Sequence, residues 1–299
     1  MSLFNDASII ITPNAFKAGK LYAVKGADLT VTRATSATRV NANGIIETVG
    51  ANVSRVDYSG GGCPSILVEP QRTNLSLQSE DFSNAVYIKV GSTISTNVAV
   101  APDGTTTADK LVENTSTGLH SCVIIATQST SGDYTYSVFV KPDGRTKIRL
   151  TESFSIGGNI QFDLTTGTFT TTAPAKNGKI EAYANGWYKC SATWTFTGGA
   201  TTQIFLDLVN SSNTSNYTGN GTSGVCVWGS QLEPGSNSTS YIKTTTATVT
   251  RNADVITLTP TTGLTEITET FSDDTTNVIT TIPSTYTMSQ GRIKNVVMK

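Results

Sequence analysis

Three tryptophans, Trp187, Trp194 and Trp228, are the side chains of this sequence best suited to hold a sugar ring. Indole offers a broad flat face and a single N–H donor. Trp187 and Trp194 both belong to the alternating stretch WYKCSATWTF. An odd separation along a strand points two side chains to opposite faces, so at least one of the pair must enter a core. Trp228 sits in the apolar run VCVWGSQLEPG, and core packing is the first reading of each tryptophan, ligand contact the second. Tyr87, Tyr183 and Tyr217 stand nearer turn-forming residues. The glycan-contact candidates are therefore Tyr87, Trp187, Tyr217 and Trp228.

Catalytic chemistry has less to work with. Glycoside hydrolysis needs two carboxylates roughly 5–10 Å apart across the sugar. The acidic pairs Glu80–Asp81 and Asp273–Asp274 are chain neighbours, which an extended backbone points apart. His120, in TGLHSCV, is the only histidine, and no GxSxG elbow accompanies it. No catalytic residue is expected, and the chain reads as a non-enzyme. A lone histidine cannot build a multi-histidine metal site. Asp103, Asp133, Asp143 and Asp163 lie near turns, and their oxygens suit a structural calcium ion; no other cofactor is indicated. The four cysteines, Cys63, Cys122, Cys190 and Cys226, are widely spaced without a CxxC pair. They read as free, mostly buried thiols made in a reducing cytosol, not as a zinc ribbon.

The elements that must position these residues are strands. The 299 residues include 52 threonines and 30 serines. Threonine is β-branched and fits a pleated surface, keeping it wet without charge. Apolar residues alternate with polar ones in DLTVTRATSATRV, YTYSVFV, KIRLTESFSI, WYKCSATWTF and QIFLDLV. Turn signals separate them: APDG at 101–104, KPDG at 141–144, TTGT at 165–168 and ANG at 184–186. Short strands at such spacing predict an all-β sandwich or barrel. Charged residues make up only 14% of the chain and the net charge is −1, so no basic field exists to hold a nucleic-acid backbone. No stretch approaches the ~18 apolar residues of a membrane span. The opening MSLFNDASIIITPNAF lacks the basic start and long apolar run of a secretion signal.

The chain divides into three by pattern. Residues 1–74 are a β region of short strands, suited to docking. Residues 75–245 carry the densest alternation and all three tryptophans, and are long enough for an eight-stranded antiparallel jelly roll. Residues 246–299 hold four short strands within VITLTP, LTEITETF, NVITTI and RIKNVVM. The string VTR occurs in the first region and again before the last four strands. A few isolated strands cannot bury much surface alone. The segment 260–299 is therefore expected to meet a second copy of the chain, as a trimer or dimer. Arg292, Lys294 and Lys299 form a basic end suited to assembly contacts.

Several ordered segments carry a resemblance: VTRATSATRVNANGIIETVGANVSRVDY, SILVEPQRTNL, SEDFSNAVYIK, APDGTTTADKLVENT, YTYSVFVKPDGRTKIRL, NGWYKCSATWTF and VWGSQLEPGSNSTSYIKTTTATVTRNADV. Across roughly residues 28–256 the chain resembles phage and prophage virion proteins known as head-spike fibres, tail fibres or carbohydrate-binding-module-like phage proteins. Its two ends resemble pieces of proteins from Bacteroidetes phages, including crAss-like phages. The resemblance implies a jelly-roll lectin-like sandwich and a place on the virion surface. It also implies capsid or tail proteins and host glycan as partners. A head fibre or capsid decoration protein is the first expectation, and a tail-fibre receptor-binding protein the alternative.

Overall fold

The computed structural model describes residues 7–17, 20–24, 29–60, 62–152, 156–199, 201–259 and 261–299, and their regular structure is almost entirely strand, in antiparallel sheets joined by turns and loops. Among them the one helical piece is the 3-10 turn Ala184–Gly186, at the ANG signal, where Asn185 takes a φ of 59°. Of the segments read as strands, Asp28 and residues 153–155 lie outside the described residues, as does Gly61 of the glycine run.

The strands form two units, not three regions. Thr73–Thr250 is one, and Met1–Arg72 together with Arg251–Lys299 is the other. The physical reason is pairing. The four expected C-terminal strands are present at Val255–Leu258, Ile267–Phe271, Thr276–Ile279 and Gly291–Met298. Gly291–Met298 bonds to Ile9–Lys17 on one side and to Ile267–Phe271 on the other, and its start also pairs with Ser65–Val68. Val255–Leu258 pairs with Leu29–Thr32. The partner expected from a second copy is thus supplied within the chain. Ile11, Ile66, Val68, Ile256, Leu258, Ile267, Ile293, Val296 and Met298 form the apolar core of this unit.

DLTVTRATSATRV alternates as one strand would, yet it is broken into Leu29–Thr32 and Ala37–Val40. The break sits at Arg33. Its buried guanidinium turns inward to the carbonyls of Gly50 (2.5 Å), Val53 (3.0 Å) and Thr35 (3.0 Å) and to Asp254 (2.7 Å). Arg251, from the second VTR string, reaches Glu69 at 2.9 Å, and Arg55 binds both Glu69 and Asp254. The two VTR strings therefore feed one buried ionic network.

The Thr73–Thr250 unit is a jelly-roll sandwich of two six-stranded sheets, larger than the eight strands expected. The first sheet runs Ser92–Ala99, Ala108–Glu113, Gly224–Pro234, Gly132–Asp143, Tyr188–Phe196, Lys176–Ala182. The second runs Thr168–Thr172, Asn159–Asp163, Lys147–Glu152, Thr201–Val209, Ser121–Thr127, Tyr87–Val90. Period-two alternation sends Cys122, Ile124, Ile148, Leu150, Ile204 and Leu206 of the second sheet inward against Tyr136, Val138, Cys190, Ala192 and Trp194 of the first. The first and last threonines of the unit join through their hydroxyls at 2.8 Å, so its chain ends lie together.

Candidate functional site

The three tryptophans are buried, Trp187 just ahead of the strand Tyr188–Phe196 and the other two within the first sheet. Trp194 points into the inter-sheet core. Trp187 faces the opposite way, as the odd separation requires, but is covered: its indole N–H donates to the Val100 carbonyl at 3.0 Å. Trp228 is 1% exposed, donates to Thr107 Oγ1 at 3.2 Å, and packs against Phe139 and Tyr241 at centroid distances of 5.5 and 4.4 Å. The chain from 235 to 245 roofs this outer face. Lys189 Nζ donates to the Thr239 carbonyl, Thr193 to that of Ser236, and the Thr239 N–H to Glu233. Gly229, at a φ of 67°, stands where a Cβ would come within 2.9 Å of Phe139, so only glycine lets the strand bend under this roof.

The two candidate tyrosines are likewise buried. Tyr87 stacks on Phe82 at 5.0 Å and donates its hydroxyl to the Leu77 carbonyl at 2.9 Å. Tyr217 lies between the His120 ring at 4.7 Å and the Arg145 guanidinium at 4.9 Å, with its hydroxyl donating to Glu113 at 2.7 Å. Each ring of the expected set, Tyr87, Trp187, Tyr217 and Trp228, lacks a free face, because distant loops or neighbouring side chains cover it. His120 is wholly buried, with its ring nitrogens 2.6 Å from the Gly91 carbonyl and 3.1 Å from that of Tyr217.

The expected assembly and metal residues are tied up locally. Arg292 faces Asp57 at 3.9 Å, Lys294 binds Asp274, and Lys299 binds Glu266 at 2.8 Å, so the basic end is neutralised by its own unit. The aspartates sit at separate turns and strand ends. Asp103 accepts from Thr105, Asp133 pairs with Lys176, Asp143 with Lys110 and Asp163 with Lys147. Among the described residues, no three acidic, cysteine or histidine side chains converge to hold a metal. The cysteines are free thiols, with Cys63 exposed and the other three buried. Burial pushes the Cys122 thiol up to about 12.

The outer face of the second sheet is different. Register aligns its outward side chains in rows across the strands. One row runs Val90, Ser121, Asp207, Arg149, Gln161, Thr170. The next, two residues along each strand, runs Ile88, Val123, Phe205, Thr151, Asn159, Thr172. Ile125 and Gln203 pair beyond it.

Phe205 is part-exposed, and Ile88 and Ile125 are 45% and 42% exposed. Asp207 forms part of the floor. It accepts from Ser121 at 2.6 Å and Thr151 at 2.8 Å; burial pushes its carboxyl above the usual range, against the pull of these hydroxyls and Arg149. Arg149 donates to Gln161 at 2.8 Å and to Ser215 at 3.1 Å, and Lys147 donates to Asn213 at 2.7 Å.

This surface sets a part-exposed aromatic ring near the part-exposed Arg149, Thr151 and Gln161, over the buried Ser121 and Asp207; a ring beside polar groups is the pairing a polyhydroxylated ring requires. The sequence-based choice of tryptophan and tyrosine passed over Phe205. The signal that finds it is the phase of QIFLDLV: with Ile204 and Leu206 inside, Phe205 must face out.

No family model and no curated protein matches the chain. Among solved structures it is similar to the CBM22-1 xylan-binding domain from Paenibacillus barcinonensis Xyn10C, at 9% identity and a TM-score of 0.33, over 56% of this chain and 94% of that one. It is also similar to the CBM22-1–GH10 modules of the Clostridium thermocellum endo-1,4-beta-D-xylanase 10B, complexed with xylohexaose. There the identity is 15% and the TM-score 0.31, over 59% of this chain and 30% of that one.

Proposed function

We propose that this chain is a structural and adhesive protein of a tailed-phage particle, a head fibre or capsid decoration protein whose inserted sandwich binds glycan through the outer face of its second sheet. The observation that carries the adhesive part is Phe205, part-exposed in the row beside Ser121, Asp207, Arg149 and Gln161. The outer face of the first sheet, by contrast, is closed by the chain's own 235–245 segment. The particle role is supported by the run of segments from VTRATSATRV to TATVTRNADV that resembles virion proteins.

Two measurements test the reading. Immunogold labelling of intact particles is expected to mark the head; label confined to the tail tip turns the protein into a receptor-binding fibre, and label on neither removes it from the particle. Chemical-shift mapping with host-surface glycans is expected to move resonances of the Phe205 and Arg149 rows. Shifts elsewhere, or none at saturating glycan, overturn the assigned face.

A further inference from the structure

The same face carries a second, more selective feature. Its two rows are unlike each other. The row through Asp207 and Arg149 is polar from strand Ser121–Thr127 outward to Thr170, whereas the neighbouring row begins Ile88, Val123, Phe205, with Ile125 alongside. Ile88, Ile125 and Val86 are among the most exposed large apolar side chains of the molecule, at 45%, 42% and 41%. A face built only to carry hydroxyls gains nothing from branched aliphatics held in water. Rows two residues apart on a strand lie about 6.5–7 Å apart, so one sugar with its substituents spans both.

The charges on the face are balanced. Lys147 stands 3.5 Å from Asp163, and Arg149 is the register partner of Asp207. Nη1 of Arg149 is further committed to Ser215 and Nη2 to Gln161 and the Asn213 carbonyl, while its Nε is buried away from the surface. Recognising a carboxylate sugar calls for a cation whose fork is open to it, and this arginine's is occupied.

Resting on the reading of this face as a glycan site, we infer that its ligands are neutral glycans whose sugars carry a methyl group. Two sugar classes supply that chemistry: 6-deoxyhexoses, with a ring methyl, and N-acetylhexosamines, with an acetamido methyl. The methyl seats on the Ile88–Ile125–Phe205 patch while hydroxyls meet the part-exposed Thr151 and Gln161.

The experiment is a titration of the full chain with matched neutral pairs, D-fucosides (6-deoxy-D-galactosides) against D-galactosides for the first class and N-acetylglucosamine against glucose oligomers for the second. Burying one methyl group strengthens binding about fourfold, so at least one pair is expected to differ by that factor or more. The exposed positions allow a folded double variant, I88T with I125T, which keeps β-branched side chains in both strands. It is expected to erase the difference while retaining the weaker affinity. Equal affinities within both pairs overturn the inference and leave the glycan site standing, as does tighter binding of uronate or sialylated glycans. A preference unchanged in the double variant also overturns it. Binding to no glycan at all overturns the inference together with the site.

Discussion

The guanidinium of Arg55 closes on the carboxylate of Asp254, a residue 199 positions further along the chain, at a fully buried site. Asp254 also receives Arg33 at 2.7 Å and the Glu69 backbone N–H at 2.9 Å. One carboxylate therefore ties three segments of a unit whose sequence is split by the insertion of Thr73–Thr250. Removing one partner of a buried ion pair costs about 3–5 kcal/mol because the other charge is left uncompensated. Asp254→Ala is expected to strip hydrogen-exchange protection from strands such as Leu29–Thr32 and Val255–Leu258. All three tryptophans belong to the sandwich, so their emission should stay native. Retained protection at Leu29–Thr32 would show that the network is dispensable.

The sandwich is expected to fold when excised as residues 73–250. Its ends meet at the Thr73–Thr250 hydroxyl contact, so excision releases no long loop and leaves the apolar core intact. A single cooperative transition by tryptophan fluorescence checks this. A fragment that is molten, with exposed apolar surface detected by dye binding, would refute it.

Deleting residues 260–299 is expected to unfold the split unit, not merely to alter assembly. The deletion removes Gly291–Met298, which lies between Ile9–Lys17 and Ile267–Phe271 in the sheet, and with it the buried Ile293, Val296 and Met298. Loss of protection at Ile9–Lys17 in hydrogen exchange is the readout.

What the sequence made legible was local. Alternation in YTYSVFV and QIFLDLV located Gly132–Asp143 and Thr201–Val209, because a strand's period of two is written in consecutive residues. Core packing of Trp187 and Trp228 is the first reading of the sequence and holds, but what covers them was not legible. It depends on Val100, Thr107 and Tyr241, which lie far along the chain and come over the sheet only in the fold. The repeated VTR string was visible, but its arginines look like ordinary surface charges until Glu69 and Asp254 arrive from other segments. Phe205 was half legible: its phase was readable, but which of two sheet faces stays open was not.

Trp228→Ala is expected to destabilise the sandwich by about 3–5 kcal/mol, as large-to-small changes in packed sites do. It is expected to leave glycan affinity unchanged wherever the variant remains folded. Phe205→Ala should show the reverse emphasis, weakening glycan binding with a smaller loss of stability, since its ring is part-exposed. Denaturant titration and isothermal titration of both variants separate the two effects; equal affinity losses would deny the distinction between the faces.

Acid is expected to loosen the sandwich through Glu113. This carboxylate accepts Arg145 in a fork at 2.7 and 2.6 Å, the Tyr217 hydroxyl at 2.7 Å and the Asn220 N–H at 2.8 Å. Burial pushes its carboxyl up, but Arg145, Tyr217 and Asn220 together outweigh burial and hold it below the usual range. A group depressed in the folded state adds stability at pH values above its unfolded value, about 4.3 for glutamate. That stability is lost as pH falls through the depressed folded value. Asp207 acts with the opposite sign. Burial raises its carboxyl, so its cost is felt at higher pH and relieved as pH falls through its raised value. The two are separated by substitution. Glu113→Gln should be less stable than the native chain at pH 7 and show a flatter decline below about pH 4.3. Asp207→Asn should be as stable or more stable at pH 7 and steepen the net acid loss by removing the compensating gain. Urea midpoints of the 73–250 sandwich at half-unit pH steps provide the measurement. An acid limb identical in the native chain and Glu113→Gln would remove the Glu113–Arg145 fork as its source.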